Sequence, residues 1–296
     1  MERLTAKDFD PKLLQLYDFY AHGMISKREF LNRAGRYTAA GVSALAMFNL
    51  MQPNYAWAEQ VSFNDPDIKA TFETFESPNG HGEVEGYMVR PTAAGDGRLP
   101  AVLVIHENRG LNPYIKDVAR RLAKDGFMAF APDGLSPIGG YPGNDADGRT
   151  MQRSMDRVKL MNDFFAGFEY LLGHEKSTGK VGAVGFCYGG GVCNALAVAY
   201  PEMAASVPYY GRQAAAEDVP RIEAALMLHF GGLDERINAG WPAYEEALKA
   251  NGKDYQAFVY ENANHGFHND STPRYDEAQA MLSWERTIGH FNMHLV

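Results

Sequence analysis

The chain has 296 residues, 46% hydrophobic and 22% charged, which is the make-up of a globular protein with enough apolar material for a sizeable core. A formal net charge of -9 excludes a large basic footprint for nucleic acid or an anionic membrane surface and favours a small-molecule partner. The only two cysteines, Cys187 and Cys193, fall in one predicted helical stretch. Six residues there separate the Cα atoms by roughly 9 Å, beyond the roughly 7 Å limit for a disulfide, so both thiols are expected to be free.

In chain order, residues 1–60 read as an N-terminal helical extension. Between Asp8 and Tyr20, Phe9, Leu13, Leu16, Tyr17 and Tyr20 recur at near-helical spacing and predict an amphipathic helix that packs against something. Ser26, with Glu29 three residues on, has capping-box spacing and predicts a second helix through the apolar run ending at Met51. The same segment has a rival reading as a twin-arginine-like leader. Ser26-Lys27-Arg28-Glu29-Phe30-Leu31 would be the signal, Tyr37 to Met51 the apolar region and Ala56-Trp57-Ala58 the cleavage site. Lysine stands for the first arginine, and Glu2, Asp8, Asp10 and Asp18 precede it, unlike a basic leader. Cytoplasmic and periplasmic locations both stay open. The apolar run, about fifteen residues, is short for stable membrane insertion.

Residues 61–296 alternate between the two periods. Strands are predicted at 71–76, 83–89, 101–106, 127–131, 181–184, 205–210, 225–230 and 255–260; helices at 113–124, 151–172, 189–200, 241–251 and 275–293. Continuously apolar strands such as AVLVIH and ALMLHF suit a sheet covered on both faces, so a three-layer α/β fold with a mainly parallel sheet, led by an antiparallel pair, is expected. The glycine-rich loop 134–148 follows a strand and is a candidate wall for a site.

The strongest local signal is Gly185-Phe186-Cys187-Tyr188-Gly189, between a strand and a helix. It is the G-x-C-x-G form of the nucleophile elbow of α/β-hydrolases, where a strained turn requires small flanking residues and the helix N-terminus favours a thiolate. A lone cysteine after a strand is more commonly a small buried hydrophobe; the complete strand, elbow and helix favour the reactive reading, and Cys193, lacking them, is assigned to the core. The fold requires an acid and then a histidine downstream, and Asp234 and His265 each follow a predicted strand. His229 and His268 compete with His265, the first within a strand and the second better suited to lining a pocket. The loop His106-Glu107-Asn108-Arg109-Gly110 is where this fold supplies an oxyanion donor, so the backbone N–H groups of Asn108 and Tyr188 are the expected pair. Gly110 stands where a zinc H-E-x-x-H helix needs histidine, and no nucleotide-binding glycine motif occurs. No metal or organic cofactor is expected.

With Glu107, the Cys187 elbow, Asp234 and His265, the chain from about Phe72 onward resembles the dienelactone hydrolase family, the carboxymethylenebutenolidases. The segments HENRGLNPY, GFCYGGG, YYGRQ and NHGFHNDSTPRY resemble a bacterial branch of hydrolases within it. The resemblance implies a hydrolase acting on an ester or lactone through Cys187, His265 and Asp234, with Glu107 contacting the resting thiol and helping to generate the thiolate. It also implies an arginine four residues after the triad histidine as a clamp for a substrate carboxylate; this chain has Asn269 there. Arg109, Arg212, Arg236 and Arg274 are the possible substitutes, and Arg109, Arg212, His268 and Tyr141 the candidate substrate-binding residues. A thiol redox role and a non-catalytic binding protein on the same fold are the rival functions. A homodimer stays open.

Overall fold

The computed structural model describes residues 4–37 and 43–296. Eight strands form one sheet: β1 (Ile68–Ser77), β2 (Gly82–Pro91), β3 (Leu99–Ile105), β4 (Met128–Pro132), β5 (Ser177–Phe186), β6 (Ala205–Tyr209), β7 (Ala225–Gly231) and β8 (Tyr255–Tyr260). The helices are α1 (Pro11–Ala21), α2 (Lys27–Ala34), α3 (Ala44–Leu50), α4 (Pro113–Lys124), α5 (Asp145–Ser154), α6 (Arg157–Gly173), α7 (Tyr188–Ala199), α8 (Glu235–Asn238), α9 (Trp241–Ala250) and α10 (Glu277–Leu295). The sheet order is β1-β2-β4-β3-β5-β6-β7-β8, with β1 and β2 antiparallel and β3 to β8 mutually parallel. This is the three-layer α/β-hydrolase fold.

Strand β3 shows why both faces are apolar. Ala101, Leu103 and Ile105 join one core with residues of α6, α7 and α9, whereas Val102 and Val104 join a second core with α4 and α10. Successive side chains of a strand alternate faces, so an unbroken apolar run serves two layers at once. Because β3, β5, β7 and β8 are parallel, their carboxyl ends lie along one rim, where the loops that follow them converge.

The single helix expected over 151–172 is two. Helix α5 stops at Ser154 and α6 begins after Asp156, whose carboxylate accepts N–H bonds from Val158 and Lys159; a strong N-cap inside a continuous apolar pattern restarts the helix in a new direction. The helix expected from Ser26 to Met51 is likewise divided. Ser26 caps α2 by accepting from the Glu29 N–H, and the helix ends at Ala34, before Gly35, a poor helix former. The apolar run of the leader reading includes residues 38–42, which lie outside the described residues.

Helices α1 to α3 share their own core, with Leu13, Phe30 and Ala34 wholly buried and Tyr17, Phe48 and Met51 nearly so. Burying side chains of this size contributes about 1.5–3 kcal/mol each, which holds the three helices to one another. Arg149 donates to the Tyr20 hydroxyl at 3.1 Å, and the Asn54 N–H donates to the Ser271 carbonyl at 2.7 Å. Ala58, at the end of the arm, is buried in the α4–α10 core. Among the described residues no helix is long and apolar enough to cross a membrane.

Candidate active site

The chain turns from β5 into α7 at Cys187, whose φ of 57° and ψ of -109° lie where L-residues are strained. Neighbouring backbone dictates the composition of the turn: a Cβ at Gly189 would lie 2.3 Å from the Ile105 carbonyl oxygen. Tyr188 is the first residue of α7, so its N–H has no acceptor within the helix. Both cysteines are free. Cys187 keeps 9% of its surface, whereas Cys193 is fully buried and burial pushes its thiol up.

Asp234 follows β7 and divides its carboxylate between two tasks. One oxygen caps α8 by accepting from the Ile237 N–H at 3.3 Å, and the other holds His265 Nδ1 at 2.5 Å. The second ring nitrogen of His265, Nε2, is buried without a hydrogen-bond partner among the described residues. Burial works against protonation of this ring, but Asp234, Asp18 and Cys187 outweigh it and raise His265 to about 10. The Tyr210 ring packs 4.9 Å from it. Elements 31 to 78 residues apart in sequence thus bring Cys187, Asp234 and His265 to one rim.

A further residue joins them from the arm. Helix α1 ends beside the elbow, and His22 places Nε2 3.3 Å from Cys187 Sγ, with its ring 4.6 Å from that of His265 in an edge-to-face contact. His22 Nδ1 faces the Asp18 carbonyl oxygen at 2.8 Å and the Asp18 carboxylate at 3.2 Å. Arg274 fixes that carboxylate at 2.9 Å, and Asn108 donates to the Ala21 carbonyl at 2.9 Å. Burial alone would raise the Cys187 thiol; His22 and then His265 overcome it and hold the thiol well below the ordinary range. Nothing in sequence connects position 22 to position 187. The only available signal was the four-residue spacing of Asp18 and His22, which puts both on one helix face.

The donor atoms of His22, Cys187 and His265 lie within 4.8 Å of one another, and both imidazoles have a carboxylate on the other nitrogen, an arrangement that would also suit a zinc ion. Arg236 sets a guanidinium, a permanent positive charge, 3.1 Å from His22 Nε2.

Glu107 is elsewhere occupied. One of its oxygens accepts from Asn269 at 2.9 Å and lies 3.0 Å from Arg109, which also binds Asp145 at 2.6 Å; Tyr55 and Tyr141 donate to the same aspartate. The thiol's hydrogen-bonding neighbour is His22, and among the described residues no bond joins it to the expected Glu107. Burial raises the Glu107 carboxyl despite Arg109.

A cavity of about 930 Å³ opens at this rim, lined in part by His22, Cys187, His265, Tyr210, Arg212 and Arg236. Of the expected substrate-binding residues, Arg212 faces it and three do not. Arg109 is buried in its double ion pair, Tyr141 is spent on Asp145, and His268 is buried with Nδ1 on the Tyr114 hydroxyl at 2.7 Å and its ring stacked on Phe186. Arg274, a possible clamp, is taken by Asp18. The loop 134–148 supplies no lining residue; the wall comes from Gln152, Arg153 and Arg157 just beyond it. Those two arginines, with Arg212, Arg221 and Arg236, face a single lining carboxylate, Asp218.

Comparison with known proteins agrees with this architecture. The E. coli K12 protein named "Putative hydrolase fragment YghX" is 63% identical over 115 residues, 39% of this chain and 97% of its own. A Bradyrhizobium protein named "Probable 2-oxo-3-(5-oxofuran-2-ylidene)propanoate lactonase" is 31% identical over 223 residues, 71% of this chain and 89% of its own. The crystal structure of a dienelactone hydrolase-like promiscuous phosphotriesterase from metagenomic libraries superimposes with a TM-score of 0.66 at 24% identity, covering 78% of this chain and all of the other. Residues 1–40 match a family described as YqhI-like. Residues 84–295 match the dienelactone hydrolase family, and the chain belongs to that family.

Proposed function

We propose that the chain hydrolyses a small ester or lactone bearing a carboxylate, with Cys187 as nucleophile. The observation that carries this reading is the placement of a strained, partly accessible thiol beside an imidazole already oriented by a carboxylate at 2.5 Å. The Cys187 sulfur attacks the carbonyl carbon, and the carbonyl electrons move to the oxygen, stabilised by the N–H groups of Asn108 and Tyr188. His265, held by Asp234, gives a proton to the departing alkoxide. It then takes one from the water that cleaves the thioester. Loss of one oxyanion donor costs about 10² to 10³ in rate. The arginine-rich wall supports an anionic substrate, with Arg212 standing in for the absent clamp at Asn269. The lactonase name of the Bradyrhizobium relative agrees with this substrate class.

The test is hydrolysis of lactones and aryl esters, each with and without a carboxylate, by wild type and Cys187→Ala. Activity confined to wild type and favouring the carboxylates is expected. Turnover surviving in Cys187→Ala would refute the nucleophile.

A further inference from the structure

We propose that His22, delivered by the N-terminal arm and backed by Asp18, is a further catalytic residue: its imidazolium holds the Cys187 thiolate as an ion pair before attack and again once the thioester is cleaved. The inference rests on Cys187 being the nucleophile proposed above. It gives His22 the thiol-activating task that the family resemblance would assign to Glu107.

Three geometric facts carry it. His22 Nε2 lies 3.3 Å from the sulfur while Nδ1 is occupied by Asp18, so the ring is aimed from behind as His265 is aimed by Asp234. The ring is placed by a built structure rather than a loose tail. Gly23, at a φ of 72°, ends the helix in a conformation that L side chains rarely adopt, and a Cβ there would lie 2.2 Å from the Arg153 guanidinium. Asn108 grips the carbonyl of Ala21, and Asp18 is anchored by Arg274. Finally, Glu107 is bound to Arg109 and Asn269 and is itself acidic, so it cannot stabilise a thiolate as a cation does.

The groups facing His22 are Cys187, His265, Asp18 and Arg236. Burial lowers His22, but Cys187 and Asp18 prevail and raise it. An imidazolium donating from Nε2 to sulfur cannot also accept from Arg236, 3.1 Å away; the Arg236 side chain is one-third exposed (34%) and has room to turn toward Asp18 Oδ2, 3.9 Å from its Nε. The proton balance closes without His22 changing state. The C–S bond forms as the thiolate attacks, and the C–O bond breaks as the alkoxide takes the proton of the His265 imidazolium. Neutral His265 then takes a proton from water, and the hydroxide breaks the C–S bond. Thiolate and both imidazolium ions are restored. Two dyads divide the work, with Asp18–His22 keeping the sulfur charged and Asp234–His265 moving the protons.

The test uses full-length wild type, His22→Gln and His22→Ala, with folding checked by thermal melting and Cys187→Ala as the control for the nucleophile itself. Iodoacetamide alkylation of Cys187, read by intact mass across the pH range, reports the thiolate separately from turnover. In His22→Gln the alkylation profile is expected to move up by at least about one pH unit, making the reaction about tenfold slower at pH values below both midpoints and equal to wild type in alkali. Ester hydrolysis is expected to fall in parallel and recover as pH rises. If His22→Ala fails to fold, the glutamine variant alone decides. Lost turnover with an unchanged alkylation profile would make His22 structural and overturn the inference, as would two unchanged profiles. A wild-type thiol that resists alkylation until a chelator removes a metal would overturn it too. If Cys187→Ala still hydrolyses, the nucleophile fails; if that variant is dead and the His22→Gln profile does not move, only the second dyad fails.

Discussion

Replacing Asp234 by asparagine isolates the link between the acid and His265 with little change in shape. The native carboxylate offers two acceptors, one to the Ile237 N–H at 3.3 Å and one to His265 Nδ1 at 2.5 Å. Asparagine has one acceptor and one donor. If its oxygen keeps the cap of α8, its amide faces Nδ1 and drives the proton to Nε2, the tautomer that cannot accept a proton from water. If the amide turns, the imidazole is satisfied and the cap is lost, at about 1 kcal/mol. A hydrogen bond to a charged partner contributes about 1.5–3 kcal/mol, and a wrong tautomer in a comparable triad lowers kcat by about 10⁴. We therefore expect kcat to fall by about 10³- to 10⁴-fold in Asp234→Asn, with KM little changed. Stability adds a signed check. His265, raised from 6.5 to about 10, binds its proton more tightly folded than unfolded, so its contribution is full below pH 6.5 and is lost as pH rises through 10. The melting-temperature advantage of wild type over Asp234→Asn should accordingly be larger at pH 6 than above pH 10. Steady-state kinetics on an activated ester and melting curves at both pH values decide. A variant within tenfold of wild-type kcat, or an advantage that grows in alkali, would refute the assigned link.

Three further outcomes are expected. Gly189→Ala would place a methyl group 2.3 Å from the Ile105 oxygen and 2.8 Å from the His106 oxygen; a loss of about 3 kcal/mol in urea unfolding is expected, and a neutral variant would contradict the elbow geometry. Burial holds His229 and His268 well below the ordinary histidine range and His290 at about 4, so unfolded chains take up protons first and stability should drop as pH falls from 6.5 toward 4. Melting curves of wild type and His290→Gln test this, the variant being expected to lose less over that interval. Arg212→Ala should raise KM about tenfold for a carboxylate-bearing ester and leave a neutral ester nearly unchanged; equal effects on both would remove Arg212 from anion recognition.

The sequence by itself determined the α/β layering and the elbow, because those features are local. The run AVLVIH shows its two-sided burial in consecutive residues, and the G-x-C-x-G motif is contiguous, although only Gly185 is demanded by backbone of the turn itself, at Gly189, whereas Gly189 is demanded by Ile105 and His106 of the neighbouring strand end. Asp234 and His265 were legible because the fold places them at strand ends in a known order. Only the tertiary structure decided which polar side chains face the cavity. Arg109, Tyr141 and His268 are typical site residues in sequence, but ion pairing, a shared aspartate and ring stacking engage them away from the cavity. Asn269, in place of a clamp, braces Glu107. His22 was the least legible: its role depends on an arm with its own core docking 165 residues from the sulfur it touches, and no periodicity encodes where such an arm lands. Local pattern reports what each segment must bury, whereas long-range packing decides which charges meet.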